Sequence, residues 1–164
     1  MESDFFGSYT MWRKARMPFC WLIKTGDYVL DVGCANGFLL KCIALWEETL
    51  QFIPFGIDIN AKRLFCAQRI HGEHKSNFKV HNMFHGIPFK EKFYVIITPW
   101  LGNETPKNIY TQNIKNHKSV ILFYLYDDDV SRFEYMESEV AASGWKVNDS
   151  IEVEQLTKIV CASW

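Results

Sequence analysis

Residues Tyr28 to Trp46 constrain the fold of this chain more than any other stretch. Tyr28-Val29-Leu30-Asp31-Val32 is β-branched and apolar with one acid in it, whereas Leu39, Leu40, Ile43, Ala44 and Trp46 recur at near-helical spacing. Between the two runs lie the small residues Gly33, Ala35 and Gly37. A strand that turns directly into a helix leaves free backbone N–H groups at the helix start, and small residues there let another molecule approach the backbone.

The same alternation runs through the chain. Helices are predicted over Tyr9–Lys24, Gly37–Leu50, Ala61–His71, Pro106–Asn116 and Ser131–Ser143. Strands are predicted over Tyr28–Val32, Phe52–Asp58, Phe78–His81, Phe93–Ile97, Ser119–Tyr126, Trp145–Val153 and Thr157–Ser163. Only Glu154-Gln155-Leu156 separates the last two, so they pair antiparallel. The expected fold is α/β, a doubly wound three-layer sandwich with a mostly parallel seven-stranded sheet and an antiparallel last strand. In such sheets ligands bind beyond the carboxyl ends of the strands, at the switch point of strand order.

Composition narrows the function classes. A chain of 164 residues, 48% apolar and 16% aromatic, without repeats or a Gly/Ser linker, is expected to form one domain over 1–164. A net charge of −1 gives no overall footprint for nucleic acid or an anionic membrane. No apolar run approaches the roughly 20 residues of a membrane span, and the acidic start Met1-Glu2-Ser3-Asp4 does not resemble a signal peptide, so a cytoplasmic protein is expected. The five cysteines, Cys20, Cys34, Cys42, Cys66 and Cys161, lie mostly in apolar runs and contain no C-x-x-C pair, which argues for reduced thiols rather than disulfides or zinc.

Asp31-Val-Gly33-Cys34-Ala35-Asn-Gly37, followed by Gly56-Ile57-Asp58-Ile59-Asn60 at the end of the next strand, resembles the paired cofactor signature of class I (Rossmann-fold) S-adenosylmethionine-dependent methyltransferases. The element order is also similar to that family's seven-stranded sheet. Trp12-Arg-Lys-Ala-Arg16-Met-Pro18 and the closing Ile159-Val160-Cys161-Ala162-Ser163-Trp164 resemble a group of small, functionally unassigned bacterial members.

The resemblance implies S-adenosyl-L-methionine as cofactor, with S-adenosyl-L-homocysteine as product. It implies that Gly33, Cys34, Ala35 and Gly37 form the turn under the cofactor's amino-acid portion, with Asp31 holding the ammonium group directly or through water. The middle small position is often Gly in the family and is Ala35 here. Asp58 would accept both ribose hydroxyls, since one carboxylate can take two O–H donors. Asn82 stands where the family often has an Asp that reads the adenine amino group, and Ile59 and Met83 would flank the adenine. The N-terminal segment 1–26 would fold over the cofactor, with Tyr9, Trp12 and Arg16 lining the acceptor pocket and Arg13 or Arg16 suiting an anionic acceptor. Thr98 and Trp100, after the fourth strand, sit where acceptor groups approach the methyl. Thr98-Pro-Trp100 matches the Asn/Asp-Pro-Pro-aromatic motif of amino-group methyltransferases poorly, with Thr for the acid and a single Pro, and reads better as a loop with an aromatic lid.

A nicotinamide-binding turn would also carry glycines and an acid after the second strand. Its third glycine comes three residues after the second, and the position after Gly37 here is Phe38. A turn with small residues for packing alone explains any single glycine better than it explains the combined signature. A sulfonium-bound methyl is already a good electrophile, so alignment and water exclusion can replace a catalytic triad. A small-molecule acceptor is therefore expected, with RNA or protein methylation or a non-catalytic cofactor-binding module as alternatives, in a monomer or homodimer.

Other polar residues have plainer readings. His85 is a possible base beside His81 on a solvated loop. His71, Glu73 and His74 form a polar turn without a paired ligand set. Asp127-Asp128-Asp129 caps the next helix more readily than it binds magnesium. Lys107, Lys115 and Lys118 lack the aromatic interleaving of a nucleic-acid groove.

Overall fold

The computed structural model describes residues 9–101, 112–114, 119–126, 131–153 and 157–163. Four helices precede or follow the first strands: α1 (Tyr9–Arg16), α2 (Pro18–Leu22), α3 (Phe38–Trp46) and α4 (Ala61–Ile70); α5 (Ser131–Ala142) comes later. The strands are β1 (Tyr28–Val32), β2 (Ile53–Asp58), β3 (Phe78–Val80), β4 (Val95–Pro99), β5 (Val120–Tyr126), β6 (Lys146–Val153) and β7 (Thr157–Ser163). They form one sheet in the order β3-β2-β1-β4-β5-β7-β6. The pairs from β3 to β5 are parallel, and β7 runs antiparallel between β5 and β6. The direction of strand order reverses between β1 and β4, so the turn after β1 lies at the switch point.

Side chains alternate between two cores. Leu30, Val32, Phe55, Ile57, Ile96 and Phe123 point to one face, where Met136 and Val140 of α5 cover them. Val29, Val95, Ile97 and Leu122 point to the other, under Phe19 of α2, Leu40 and Ile43 of α3, and Leu64 and Ala67 of α4. Each fully buried aliphatic or aromatic side chain contributes roughly 1.5–3 kcal/mol, and because both faces are covered the strands read as continuous apolar runs. Lys158 of β7, only 4% exposed, donates from Nζ to Glu137 of α5 at 2.8 Å and to Glu152 of β6 at 3.0 Å, which ties the hairpin to its helix.

Several boundaries differ from the sequence expectation. The helix predicted over Tyr9–Lys24 is two helices, because Pro18 has no N–H to continue α1 and instead starts α2. The third helix stops at Trp46, and Glu47 to Leu50 form a turn closed by Leu50 N–H on the Glu47 carbonyl. The fourth strand begins at Val95 rather than Phe93, whose backbone makes a single parallel bridge to Ile114. Most of the helix predicted over Pro106–Asn116 lies outside the described residues, as do Lys107, Lys115, Lys118, Asp127-Asp128-Asp129 and the Glu154-Gln155-Leu156 link. Among the described residues no helix is long and apolar enough to cross a membrane.

Candidate functional site

The turn from β1 into α3 has an unusual backbone. Gly33 (φ 75°), Ala35 (φ 48°) and Gly37 (φ 71°) all lie in the left-handed region, where a side chain is strained. The turn is stitched to β2 by the N–H groups of Gly33 and Cys34, which both donate to the Ile57 carbonyl at 2.8 and 3.0 Å. Gly37 N–H closes it on the Cys34 carbonyl at 2.7 Å. Ala35, the non-glycine residue in this conformation, is held by its N–H donating to Oδ2 of Asp58 at 2.8 Å.

The glycines serve different ends. A Cβ on Gly33 would meet nothing within 4 Å, so the space over it is open. A Cβ on Gly37 would sit 2.8 Å from Cβ of Ala67 and 3.1 Å from Cδ2 of His71, so this glycine lets α3 pack on α4. Gly56 of β2 makes room beneath the turn, since a Cβ there would collide with Sγ of Cys34 and the ring of Phe78.

Two acids border the turn. Asp31 on β1 is 2% exposed, and its carboxyl makes no hydrogen bond among the described residues. Burial raises its pKa to about 8; Arg16 opposes the shift and Asp58 adds to it. Asp58 ends β2, half-buried, with Oδ2 on Ala35 N–H and Oδ1 accepting from Asn60 N–H at 2.7 Å. These two bonds fix its orientation and leave each oxygen further acceptor capacity. Cys34 is buried beside both acids; desolvation first, and then the charges of Asp31 and Asp58, hold it as a neutral thiol. All five cysteines are free, and only Cys66 is exposed.

The edge beyond Asp58 is apolar and open. Ile59 is 74% exposed, and Asn60 caps α4 by accepting from the N–H groups of Lys62 and Arg63. After β3, Asn82 accepts from Phe84 N–H at 3.0 Å, so its amide oxygen already caps a short 3-10 turn, and Met83 packs partly buried against the core. His81 hangs on the same edge through its N–H to the Asp58 carbonyl; its Nε2 is buried and has no hydrogen-bond partner among the described residues.

Helix α1 packs along α3, from Phe38 at its first residue to Trp46 at its last. Trp12 is buried between Phe38, at 5.4 Å, and Trp46, at 5.6 Å, and stacks on Tyr9. Trp46 Nε1–H donates to the Tyr9 hydroxyl at 3.0 Å. Arg16 lies over the Trp12 ring at 4.5 Å and Arg13 over Trp46 at 5.7 Å. Arg16 is the α1 residue whose charge reaches Asp31, whereas Tyr9 and Trp12 pack α1 onto α3.

The end of β4 departs from expectation. Thr98 does not follow the fourth strand but lies within it, fully buried and paired with Phe123 of β5. Trp100 is 3% exposed, packs edge-on against Phe123 at 5.1 Å, and donates Nε1–H to Glu139 of α5 at 2.8 Å. It belongs to the core on the α5 side and is not an aromatic lid; the hydrophobic gain of burying an indole, with its N–H satisfied, outweighs exposing it. Gly102, Asn103 and Glu104 lie outside the described residues.

His71 is the residue that sequence reasoning missed. Its Nε2 lies 2.9 Å from the Gly37 carbonyl and its ring stacks on Phe78 at 4.3 Å, a pairing across 34 positions that no local pattern announces. His74 Nε2 lies 3.8 Å from Oε1 of Glu73, and its backbone N–H donates to the His71 carbonyl at 2.8 Å. Among the described residues no three His, Cys, Asp or Glu side chains come together as a metal cluster.

No family model and no curated protein matches the sequence. Solved structures do match in shape. A SAM-dependent methyltransferase from Aquifex aeolicus shares 15% identity at a TM-score of 0.66, over 92% of this chain and 90% of that one. A ribosomal protein L11 methylase from Lactobacillus delbrueckii subsp. bulgaricus shares 14% at 0.69, over 96% and 80%. A SAM-dependent methyltransferase from Geobacter sulfurreducens, in complex with S-adenosyl-L-homocysteine, shares 16% at 0.64, over 92% and 70%. At such identities the likeness is one of architecture: the chain has the Rossmann-like fold of the class I S-adenosylmethionine-dependent methyltransferases.

Proposed function

We propose that the chain is an S-adenosyl-L-methionine-dependent methyltransferase, a single domain over residues 1–164 in the cytoplasm. One observation carries the reading: a left-handed turn at the switch point, open over Gly33, with a buried acid on one side that makes no hydrogen bond among the described residues and an oriented carboxylate on the other. That set suits a ligand with a cation next to a diol. Asp31 takes the ammonium group, Gly33, Cys34, Ala35 and Gly37 carry the amino-acid portion, and Asp58 accepts the ribose hydroxyls. Ile59 and Met83 flank the adenine, and Asn82 contributes through whatever acceptor capacity its cap leaves. The cofactor supplies an electrophilic methyl; the chain's own task is to align an acceptor and exclude water.

The acceptor is read as a small anionic molecule. Arg16 lies close enough to Asp31 to oppose the rise in its pKa, and α1 carries Arg13, Lys14 and Arg16 without an acid. A second reading has its own support: α3 and α4 add Lys41, Lys62, Arg63 and Arg69, again without an acid, so the cationic charge hidden by the net value gathers on the helical layer beside the turn. That distribution suits RNA, and methylation of a protein is the reading that the L11 methylase brings. Transfer of radiolabelled methyl to metabolite, RNA and protein fractions separates the three.

The cofactor assignment is tested by thermal unfolding. S-adenosyl-L-homocysteine should raise the midpoint and NAD should not, because a ligand that binds only the folded state stabilises it by mass action. Equal stabilisation by NAD would overturn the assignment.

A further inference from the structure

We infer that His71 is a positioning residue: by holding the carbonyl of Gly37 it sets the turn that carries the amino-acid half of the cofactor, an inference that rests on the methyltransferase reading. A carbonyl oxygen only accepts, so the 2.9 Å contact makes Nε2 the protonated nitrogen of the ring. Gly37 is the N-cap of α3, and the helical bond to its carbonyl from Lys41 N–H is long, 3.4 Å. His71 supplies the shorter partner. The imidazole is also in van der Waals reach of the Gly37 Cα, since a methyl there would come within 3.1 Å of it.

The other side of the ring is equally determined. His71 is 9% exposed and lies 4.3 Å from Phe78, nearly parallel at 18°, while its backbone caps α4 by donating to the Ala67 carbonyl. One side chain therefore joins the last glycine of the turn to the end of α4 and the start of β3. Burial holds its pKa below the usual histidine range, so the ring is neutral and the Nε2–H tautomer persists at physiological pH. Gly37 N–H is bonded back to the Cys34 carbonyl, so a shift of Gly37 carries the rest of the turn with it. Asp58 touches the turn through Ala35 N–H but is also fixed by Asn60 N–H, and among the described residues Ile59 and Met83 have no bond to His71, so the ribose and adenine positions should hold.

The test compares two ligands on three proteins. S-adenosyl-L-homocysteine has the amino-acid half, and 5′-methylthioadenosine lacks it. In His71→Phe, which keeps the stacking and loses the donor, affinity for the first should fall roughly fivefold, the weight of one neutral hydrogen bond, while affinity for the second stays at the wild-type value. His71→Gln, which returns an N–H donor, should recover most of the loss. Far-ultraviolet circular dichroism checks the fold of both variants. Should His71→Phe fail to fold, imidazole 15N shifts of the wild type still decide the matter, since an Nδ1–H tautomer would overturn the contact. Equal loss of both ligands in a folded His71→Phe, or no loss of either, overturns the inference and leaves the methyltransferase reading standing. A wild type that binds neither ligand overturns both.

Discussion

Asp31 offers the most searching prediction, because its buried carboxyl must ionise to hold a cation. With a pKa raised to about 8 by burial, the group carries its charge in roughly one molecule in ten at pH 7 and about one in a hundred at pH 6. If the ammonium of S-adenosyl-L-homocysteine needs the carboxylate, affinity should rise about tenfold per pH unit, or about 1.4 kcal/mol, from pH 6 towards 8, and then level off. Binding should release close to one proton at pH 6 and about half of one at pH 8. Calorimetry in buffers of differing ionisation enthalpy measures both, with 5′-methylthioadenosine as the control that should show neither. Asp31→Asn should bind the full ligand more weakly and without the pH slope. In the ligand-free protein the folded state keeps a proton that the unfolded chain loses between about pH 4 and 8. Stability should therefore fall as pH rises through that window, and Asp31→Asn should raise Tm over wild type more at pH 8.5 than at pH 5. A dissociation constant that is flat from pH 6 to 8, with no proton released, would refute the ammonium contact.

Asp58→Ala should weaken S-adenosyl-L-homocysteine binding at least tenfold, since hydrogen bonds to a charged group are worth roughly 1.5–3 kcal/mol each and the variant also frees the Ala35 and Asn60 amides. Asp58→Asn should lose less; a folded Asp58→Ala that binds like wild type would move the ribose contact elsewhere. Gly37→Ala and Gly33→Ala should separate stability from binding, because both add a side chain at positive φ but only Gly37 faces Ala67 at 2.8 Å. Thermal unfolding should show Gly37→Ala the more destabilised, by at least about 1–3 kcal/mol, while calorimetry should show Gly33→Ala folded with its ligand site obstructed; the reverse ranking would contradict the assignment of the open side.

The run from Tyr28 to Trp46 and the acid at Asp58 were legible because they are local: strand, turn and helix each leave a short-range pattern, and the turn's conformational demand appears directly as small residues. The antiparallel closing hairpin was legible for the same reason, through the brevity of its link. Pro18 is a local signal too, since its missing N–H dictates the break between α1 and α2 inside an otherwise continuous helical pattern. Long-range pairing carries no such signature. That Trp100 lies in the core follows from Glu139, 39 residues later, satisfying its indole N–H; that Asn82 spends its oxygen on a cap follows from the tight turn after β3. His71 reads in sequence as one polar residue in a polar turn, and only the packing of α4 and β3 against the β1 turn gives it Phe78 on one side and Gly37 on the other. The chain's periodicities decided which elements form and where a ligand could approach. Tertiary packing decided which polar groups are already spent on the fold and which, like the carboxyl of Asp31, are buried without a hydrogen bond among the described residues, because burial and hydrogen-bond satisfaction are properties of neighbours that the linear order does not contain.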